Sequence, residues 1–292
     1  MERLLKPDNM IAIISLLLLL SCGREDPPPQ DEDLFPDEEE VPVAEGYTTP
    51  MEYEGYRLVW HDEFDSNAVN TDFWEFEIGT GCPDLCGWGN NELQYYRKEN
   101  ATVSDGILTI EAKNQVFLDR NYTSARMKTQ GRQSFKYGRV DIRAMLPRGQ
   151  GIWPALWMLG ESISTIGWPG CGEIDIMEMI GGSGRENEVH GTVHWYDGRH
   201  TYSGGSYTLD SGTFADRFHV FSIIWDDKSI RWMVDDNLFH ETDITPANMT
   251  EFHEEFFFIF NVAVGGTWPG NPDGSTIFPQ RMRVDYIRVF QP

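Results

Sequence analysis

Between Arg57 and the C-terminus, short apolar runs alternate with clusters of Gly, Asp, Asn, Ser and Pro, and no stretch sustains the 3.6-residue period of an amphipathic helix. The runs with the length and the β-branched or aromatic content of strands are Arg57–His61, Thr102–Lys113, Tyr137–Met145, Ile152–Met158, Ile174–Met179, Val189–Trp195, His219–Trp225, Ile230–Val234, Phe256–Val264 and Arg283–Phe290. Phe218–His240 reads as a hairpin, with an apolar strand to Trp225, the turn Asp226-Asp227-Lys228-Ser229 and a return through Ile230–Val234. The pattern predicts an all-β sandwich that occupies residues 51–292 as one domain.

The first fifty residues follow other rules. Arg3 and Lys6 precede an apolar run from Met10 to Leu20, broken only by Ser15, which is too short to span a bilayer and has the layout of a signal peptide. Leu19-Leu20-Ser21-Cys22 resembles a bacterial lipobox, so residues 1–22 are expected to direct export, with Cys22 acylated as the mature N-terminus. The alternative is an ordinary secretory signal in which Cys22 is incidental. Residues 23–50 lack apolar periodicity and hold Pro27-Pro28-Pro29 and Glu38-Glu39-Glu40, the composition of a disordered tether. An acidic run soon after a lipidated cysteine is similar to the export signal of some outer-membrane lipoproteins, which places the expected location on the bacterial cell surface.

Charge narrows the partners. Residues 23–50 carry ten acids against the single base Arg24, and residues 1–22 sum to zero, so residues 51–292 keep −15 of the total −24. Neither nucleic acid nor an anionic membrane gains by approaching such a surface, which leaves a neutral or cationic partner and membrane contact through the lipid alone. The chain is expected to be a monomer. Ten Trp and eleven Tyr suit either a cleft that stacks flat sugar faces or an aromatic-rich core. Cys82 and Cys86 flank Pro83-Asp84-Leu85 in a Gly-rich loop of an exported chain, so a local disulfide is expected, with Cys171 left as a buried thiol. No second cysteine or histidine pair lies at zinc-ligand spacing.

The chemistry concentrates in Gly172-Glu173-Ile174-Asp175-Ile176-Met177-Glu178. Three carboxylates interleaved with Ile and Met are costly to bury unpaired, and an exposed strand would not alternate with such apolar residues. Glu173 and Asp175 share a face by the period of two, whereas Glu178 falls on the other face unless a β-bulge at Ile176-Met177 adds one residue. Two carboxyls and an assistant are what glycoside hydrolysis uses: one attacks or activates water, the other protonates the leaving oxygen, and Asp175 raises the acid by like-charge proximity. A calcium site and a solvated charged face are the alternatives.

Glu173-Ile174-Asp175-Ile176-Met177-Glu178 resembles the signature of glycoside hydrolase family 16 in its bulged, laminarinase form, which agarases and carrageenases share. Further matches are Gly87-Trp88-Gly89-Asn90-Asn91-Glu92-Leu93-Gln94-Tyr95-Tyr96, Ser124-Ala125-Arg126-Met127, Gly151-Ile152-Trp153-Pro154-Ala155-Leu156-Trp157-Met158-Leu159 and Asn261 to Gly270. The resemblance covers about residues 55–292, and its one departure is Met179, where many relatives have an aromatic. It implies a jelly-roll sandwich of two antiparallel sheets with a concave glucan cleft. By the family roles Glu173 is the nucleophile, Glu178 the acid/base and Asp175 the assistant of a retaining endo-β-1,3-glucanase that needs no catalytic cofactor. A galactan hydrolase of agar, porphyran or carrageenan type and a non-catalytic glucan-binding protein are the rival functions.

The same resemblance implies supporting residues. Trp153 and Trp157, at i and i+4 of one strand, are expected to stack on glucosyl rings or else to pack in the core, and Trp268 to stand at the cleft edge. Asn90 and Arg126 are expected to hydrogen-bond sugar hydroxyls, the alternatives being turn capping or a surface salt bridge. His194, on one face with His190, orients a carboxylate or the sugar, or is structural. Glu63, the backbone of Gly106 and Asp285 match positions that hold one structural calcium ion in relatives, and hard oxygen donors suit that ion.

Overall fold

A computed structural model describes residue 42 and residues 45–292. Among these the fold is two sheets, of ten and eight strands, antiparallel except where Gln94–Tyr96 runs parallel to Arg120–Ser124, with one single-turn α-helix at Ile163–Ile166. The eight-stranded sheet, which carries the cleft, runs in the order His200–Thr208, Glu188–Tyr196, Glu173–Glu178, Ile152–Gly160, Phe256–Val264, Arg126–Lys128, Glu75–Phe76, with Ser134–Phe135 also paired to Phe256–Val264. The opposite sheet is built around Gly138–Met145, flanked by His219–Trp225 and by the C-terminal strand Gln280–Gln291. The result is the sandwich that the spacing of apolar runs predicts, with the jelly-roll form of the resembled family.

Two-residue periodicity divides the central strands between core and cleft. Every residue of Phe256–Val264 is buried. Phe256, Phe258, Phe260, Val262 and Val264 join the inter-sheet core, while Phe257 and Ile259 pack with Leu159 and Cys171 in a smaller cluster on the cleft side. In Ile152–Gly160 the alternation sends Leu156 and Met158 into the core, and Trp153, Ala155, Trp157 and Leu159 into the cleft. Removing either ring of such a packed aromatic costs about 3–5 kcal/mol in a core of this kind, so the cleft floor is held rigidly from below.

Three differences from the sequence reading have physical causes. The run Thr102–Lys113 is two strands, Ala101–Ser104 and Ile107–Phe117, because Asp105 and Gly106 both take positive φ in a tight turn. His200–Thr208 and Asn237–Asp243 are strands the apolar pattern does not announce, since the first lies at the sheet edge with alternating half-buried polar residues and the second is mostly exposed. Third, the tether ends earlier than residue 50. Buried Arg143 donates to the carbonyls of Tyr47 and Glu45, Arg288 to that of Thr49, and Thr49 meets the Tyr286 hydroxyl at 2.8 Å. Gly46 bridges to Phe218 so closely that a Cβ would lie 2.0 Å from the Phe218 carbonyl oxygen. This arm docks through its backbone, which leaves no apolar signature. Residues 23–41, 43 and 44 of the expected tether, and Cys22 with its signal, lie outside the described residues. No helix among the described residues is long and apolar enough to cross a membrane.

The cysteines pair as their spacing suggests: Cys82 and Cys86 form a disulfide, and Cys171 is a buried thiol. Burial, with the charge of Glu173 beside it, pushes that thiol up to about 12, so it is not a nucleophile at neutral pH.

Candidate active site

The strand Glu173–Glu178 lies in the cleft sheet with a register that breaks at the expected place. Asp175 faces Thr192 and Glu178 faces His190, so Ile176 and Met177 together oppose the single residue Gly191. Both bulge residues are buried in the core, which turns Glu178 back to the face of Glu173 and Asp175. The bulge is pinned from beneath by Trp232 of the opposite sheet, whose indole Nε1 donates to the Asp175 carbonyl at 2.8 Å. That ring occupies the space above Gly191, where a Cβ would stand 2.4 Å from it.

The three carboxyls open into a cleft of about 1120 Å³ lined also by Asn90, Arg126, Trp153, Trp157, Trp168, His190, His194, His200, Tyr202, Asn261 and Trp268. One oxygen each of Glu173 and Asp175 and a ring nitrogen of His194 all lie within 4.8 Å of one another. His194 Nε2 is 3.1 Å from Asp175 Oδ2 and 3.7 Å from Glu173 Oε1. Glu173 Oε2 also accepts from Trp168 Nε1 at 3.1 Å, and Glu178 Oε1 accepts from Trp153 Nε1 at 3.0 Å.

These surroundings set the protonation of the acids. Burial, and then the charge of Asp175, pushes Glu178 up to about 8 despite the opposing pull of His194 and Trp153. Burial also raises Glu173 and Asp175, with each glutamate raised further by the aspartate. Three carboxyls in one buried space cannot all ionise cheaply, so a proton stays among them at neutral pH. Glu173 accepts from Trp168 and Glu178 from Trp153, and His194 works against the rise of both.

The other candidate residues acquire definite partners. Trp153 donates to Glu178 through its indole N–H and meets Trp268 edge-on at 5.6 Å; Trp268 is exposed and also meets His190. Trp157 donates to Asn261 at 2.8 Å and lies against the Arg126 guanidinium. Arg126 is buried, sandwiched between Trp88 and Trp157 and paired through its Nε with Glu77, an ion pair within the cleft wall and not at the surface. Although burial works against it, Arg126 and Lys128 hold Glu77 below the usual carboxylate range. Asn90 ties two loops: its carbonyl accepts from the backbone and hydroxyl of Thr267, and its amide reaches Glu92. Trp168, His200, Tyr202, Glu77 and Asn261 are site residues the sequence reading missed. Trp168 lies in the Trp-Pro-Gly turn five residues before Glu173, and Asn261 opens the matched run Asn261 to Gly270.

Glu63, Gly106 and Asp285 converge away from the cleft. Asp62 pairs with Ile287 and Leu108 with Val284, so Glu63 and Gly106 both border the stretch containing Asp285. Burial, with Glu63 adding to it, raises Asp285 in spite of Arg143. Glu63 accepts two hydrogen bonds from Arg288, at 2.8 and 2.7 Å, and Asp285 one from Arg143 at 2.6 Å. Two carboxylates and a carbonyl are a donor set calcium takes, and the two guanidiniums already balance both charges.

Three carboxyls gathered on one bulged strand, in an aromatic cleft of a β-sandwich, are the arrangement of a glycoside-cleaving enzyme. Comparison with known proteins places it further. The profile of glycosyl hydrolases family 16 matches residues 89–288, and the chain belongs to that family. It is 42% identical to a beta-glucanase of Rhodothermus marinus over 81% of this chain and 85% of that protein. It is 40% identical to the clotting factor G alpha subunit of Tachypleus tridentatus over 81% of this chain, which spans only 34% of that longer protein. Among solved structures, the laminarinase catalytic domain of Thermotoga maritima MSB8 aligns with a TM-score of 0.75 at 47% identity, covering 81% of this chain and 98% of that one.

Proposed function

We propose that the chain is an endo-acting β-1,3-glucanase that works by retaining double displacement. The observation that carries this reading is the bulge that puts Glu173, Asp175 and Glu178 on one cleft-facing surface. Glu173 attacks the anomeric carbon while Glu178 gives its proton to the leaving oxygen; Glu178 then takes a proton from water as the glycosyl–Glu173 ester is hydrolysed. Asp175 keeps the acid protonated between turnovers by its charge. Similarity to the Rhodothermus and Thermotoga proteins, whose names specify glucan cleavage, supports β-glucan as the substrate. A keratan-sulfate endo-1,4-beta-galactosidase of Sphingobacterium multivorum is also related, at 30% identity, but a sulfated chain gains little from a cleft centred on three carboxyls. A beta-1,3-glucan-binding protein of Penaeus monodon is related at 29%, and the acid pair is what separates binding from cleavage here. The test is release of reducing ends from laminarin, mixed-linkage β-glucan, agarose and carrageenan. Laminarin should be cut fastest, with internal breaks lowering its mean length early; preference for agarose or carrageenan would overturn the assignment.

Two further parts of the proposal concern stability and location. Glu63, the Gly106 carbonyl and Asp285 bind one calcium ion that takes no part in the reaction. Chelation should lower the melting temperature by roughly 5–10 °C, as loss of a ligand present at about a hundred times its Kd does; an unchanged melting curve would count against the ion. Cys22 is lipidated and anchors a monomer at the outer surface of a bacterial cell. A Cys22→Ala variant should no longer take up labelled fatty acid, and unchanged labelling would remove the anchor from the account.

A further inference from the structure

His194 reaches both Glu173 and Asp175, and what it offers them depends on which of its ring nitrogens carries the proton. Its other nitrogen settles that. His194 Nδ1 lies 2.8 Å from Nε2 of His200, and the two rings stack with centroids 5.0 Å apart and planes 23° from parallel. His200 opens the edge strand His200–Thr208, and the pairing of Tyr196 with His200 and of His194 with Tyr202 sets the two histidines diagonally across the hairpin. Trp168 covers the second ring at 4.6 Å while its own N–H holds Glu173. The edge strand therefore has a built connection to the nucleophile.

A hydrogen bond between two imidazoles holds one proton. If His200 Nε2–H donates, His194 Nδ1 accepts, and the neutral His194 ring carries its proton on Nε2, facing Asp175 Oδ2 at 3.1 Å and Glu173 Oε1 at 3.7 Å. If His194 donates instead, its neutral ring turns a lone pair on the nucleophile's oxygen, which must be anionic to react. The first arrangement serves the carboxylates without a charged ring. Burial and the neighbouring His194 hold His200 below the ordinary imidazole range, in keeping with a neutral His200 ring.

Building on the retaining glycosidase function proposed above, we infer that His200 is a positioning residue of this active site: by donating from Nε2 to His194 Nδ1 it fixes His194 as the Nε2–H tautomer that faces Glu173 and Asp175. It acts through His194 and does not touch the reacting atoms.

The tautomer is read directly by long-range proton–nitrogen correlation NMR on ¹⁵N-labelled protein at neutral pH, with no substrate present, so this result stands apart from whether laminarin is the substrate. His194 should appear as neutral Nε2–H. In His200→Phe, which keeps a ring for the stack but has no donor, His194 should show the other tautomer or a mixture. Its kcat on laminarin should drop roughly tenfold or more with KM within about twofold, because a wrong histidine tautomer impairs the chemical step. His200→Gln, whose amide nitrogen can donate in place of Nε2, should keep the Nε2–H tautomer and most of kcat. A wild-type Nδ1–H tautomer, an unchanged His194 spectrum in His200→Phe, or equal losses in the two variants would overturn the assignment. A rise in KM alone would do so as well, since it would make His200 a substrate contact.

Discussion

Glu173→Ala should reduce laminarin hydrolysis by a factor on the order of 10⁴ or more, the scale on which losing a covalent nucleophile lowers kcat. The fold should survive, because Glu173 borders the cleft and is not part of the inter-sheet core. Its removal leaves a space on the face from which the sugar is attacked, with Trp168 Nε1 still at its edge. Azide entering that space should restore turnover and yield an α-glycosyl azide. Glu178→Ala, offered an activated substrate whose leaving group needs no acid, should instead accumulate the glycosyl-enzyme and give the β-azide. Exchange of the two products would mean that nucleophile and acid have been assigned to the wrong glutamates.

Asp175→Asn should lower kcat roughly 10²-fold, within the range that tuned general acid–base catalysis supplies. The larger signature is in the pH profile. After burial, the charge of Asp175 is the main influence raising Glu178, and it raises Glu173 as well. The alkaline limb of activity reports loss of the Glu178 proton and should fall near pH 8 in the native protein. Without the Asp175 charge both carboxyls ionise at lower pH, so the alkaline and acid limbs should both move toward acid. An alkaline limb that stays in place, or moves up, would show that Asp175 does not hold the proton on Glu178.

The sheet face of the site was legible in the sequence because periodicity is a local property. Trp153 and Trp157 share the cleft face through simple alternation, and Glu178 reaches it only through a bulge, which the interruption of alternation at Ile176-Met177 announces. What was not legible depends on distant partners. The Arg126 guanidinium is claimed by Glu77, 49 residues away, and the bulge is pinned by Trp232, 57 residues from Asp175, with no spacing rule connecting either pair. His200 stands on an edge strand whose cleft face is polar, so no apolar rhythm marked it as structured. The arm at Glu45–Thr49 is held by buried arginines through main-chain carbonyls, which any sequence supplies. In each case a charged or polar group of one element finds its partner in another, and only the folded chain brings the two together.

The most direct test of the central claim, that Glu173 and Glu178 cleave β-glucan by double displacement, is the stereochemistry of the first product. Retaining enzymes hold their carboxyls about 5–5.5 Å apart, whereas inverting enzymes leave room for a water at roughly 6.5–9.5 Å. The double displacement proposed for Glu173 and Glu178, with Asp175 between them on one cleft face, takes the shorter separation. Proton NMR of laminarin during the first turnovers should therefore show the β-anomer of the new reducing end appearing first, with the α-anomer following by mutarotation. An α-anomer signal that leads would contradict the covalent mechanism.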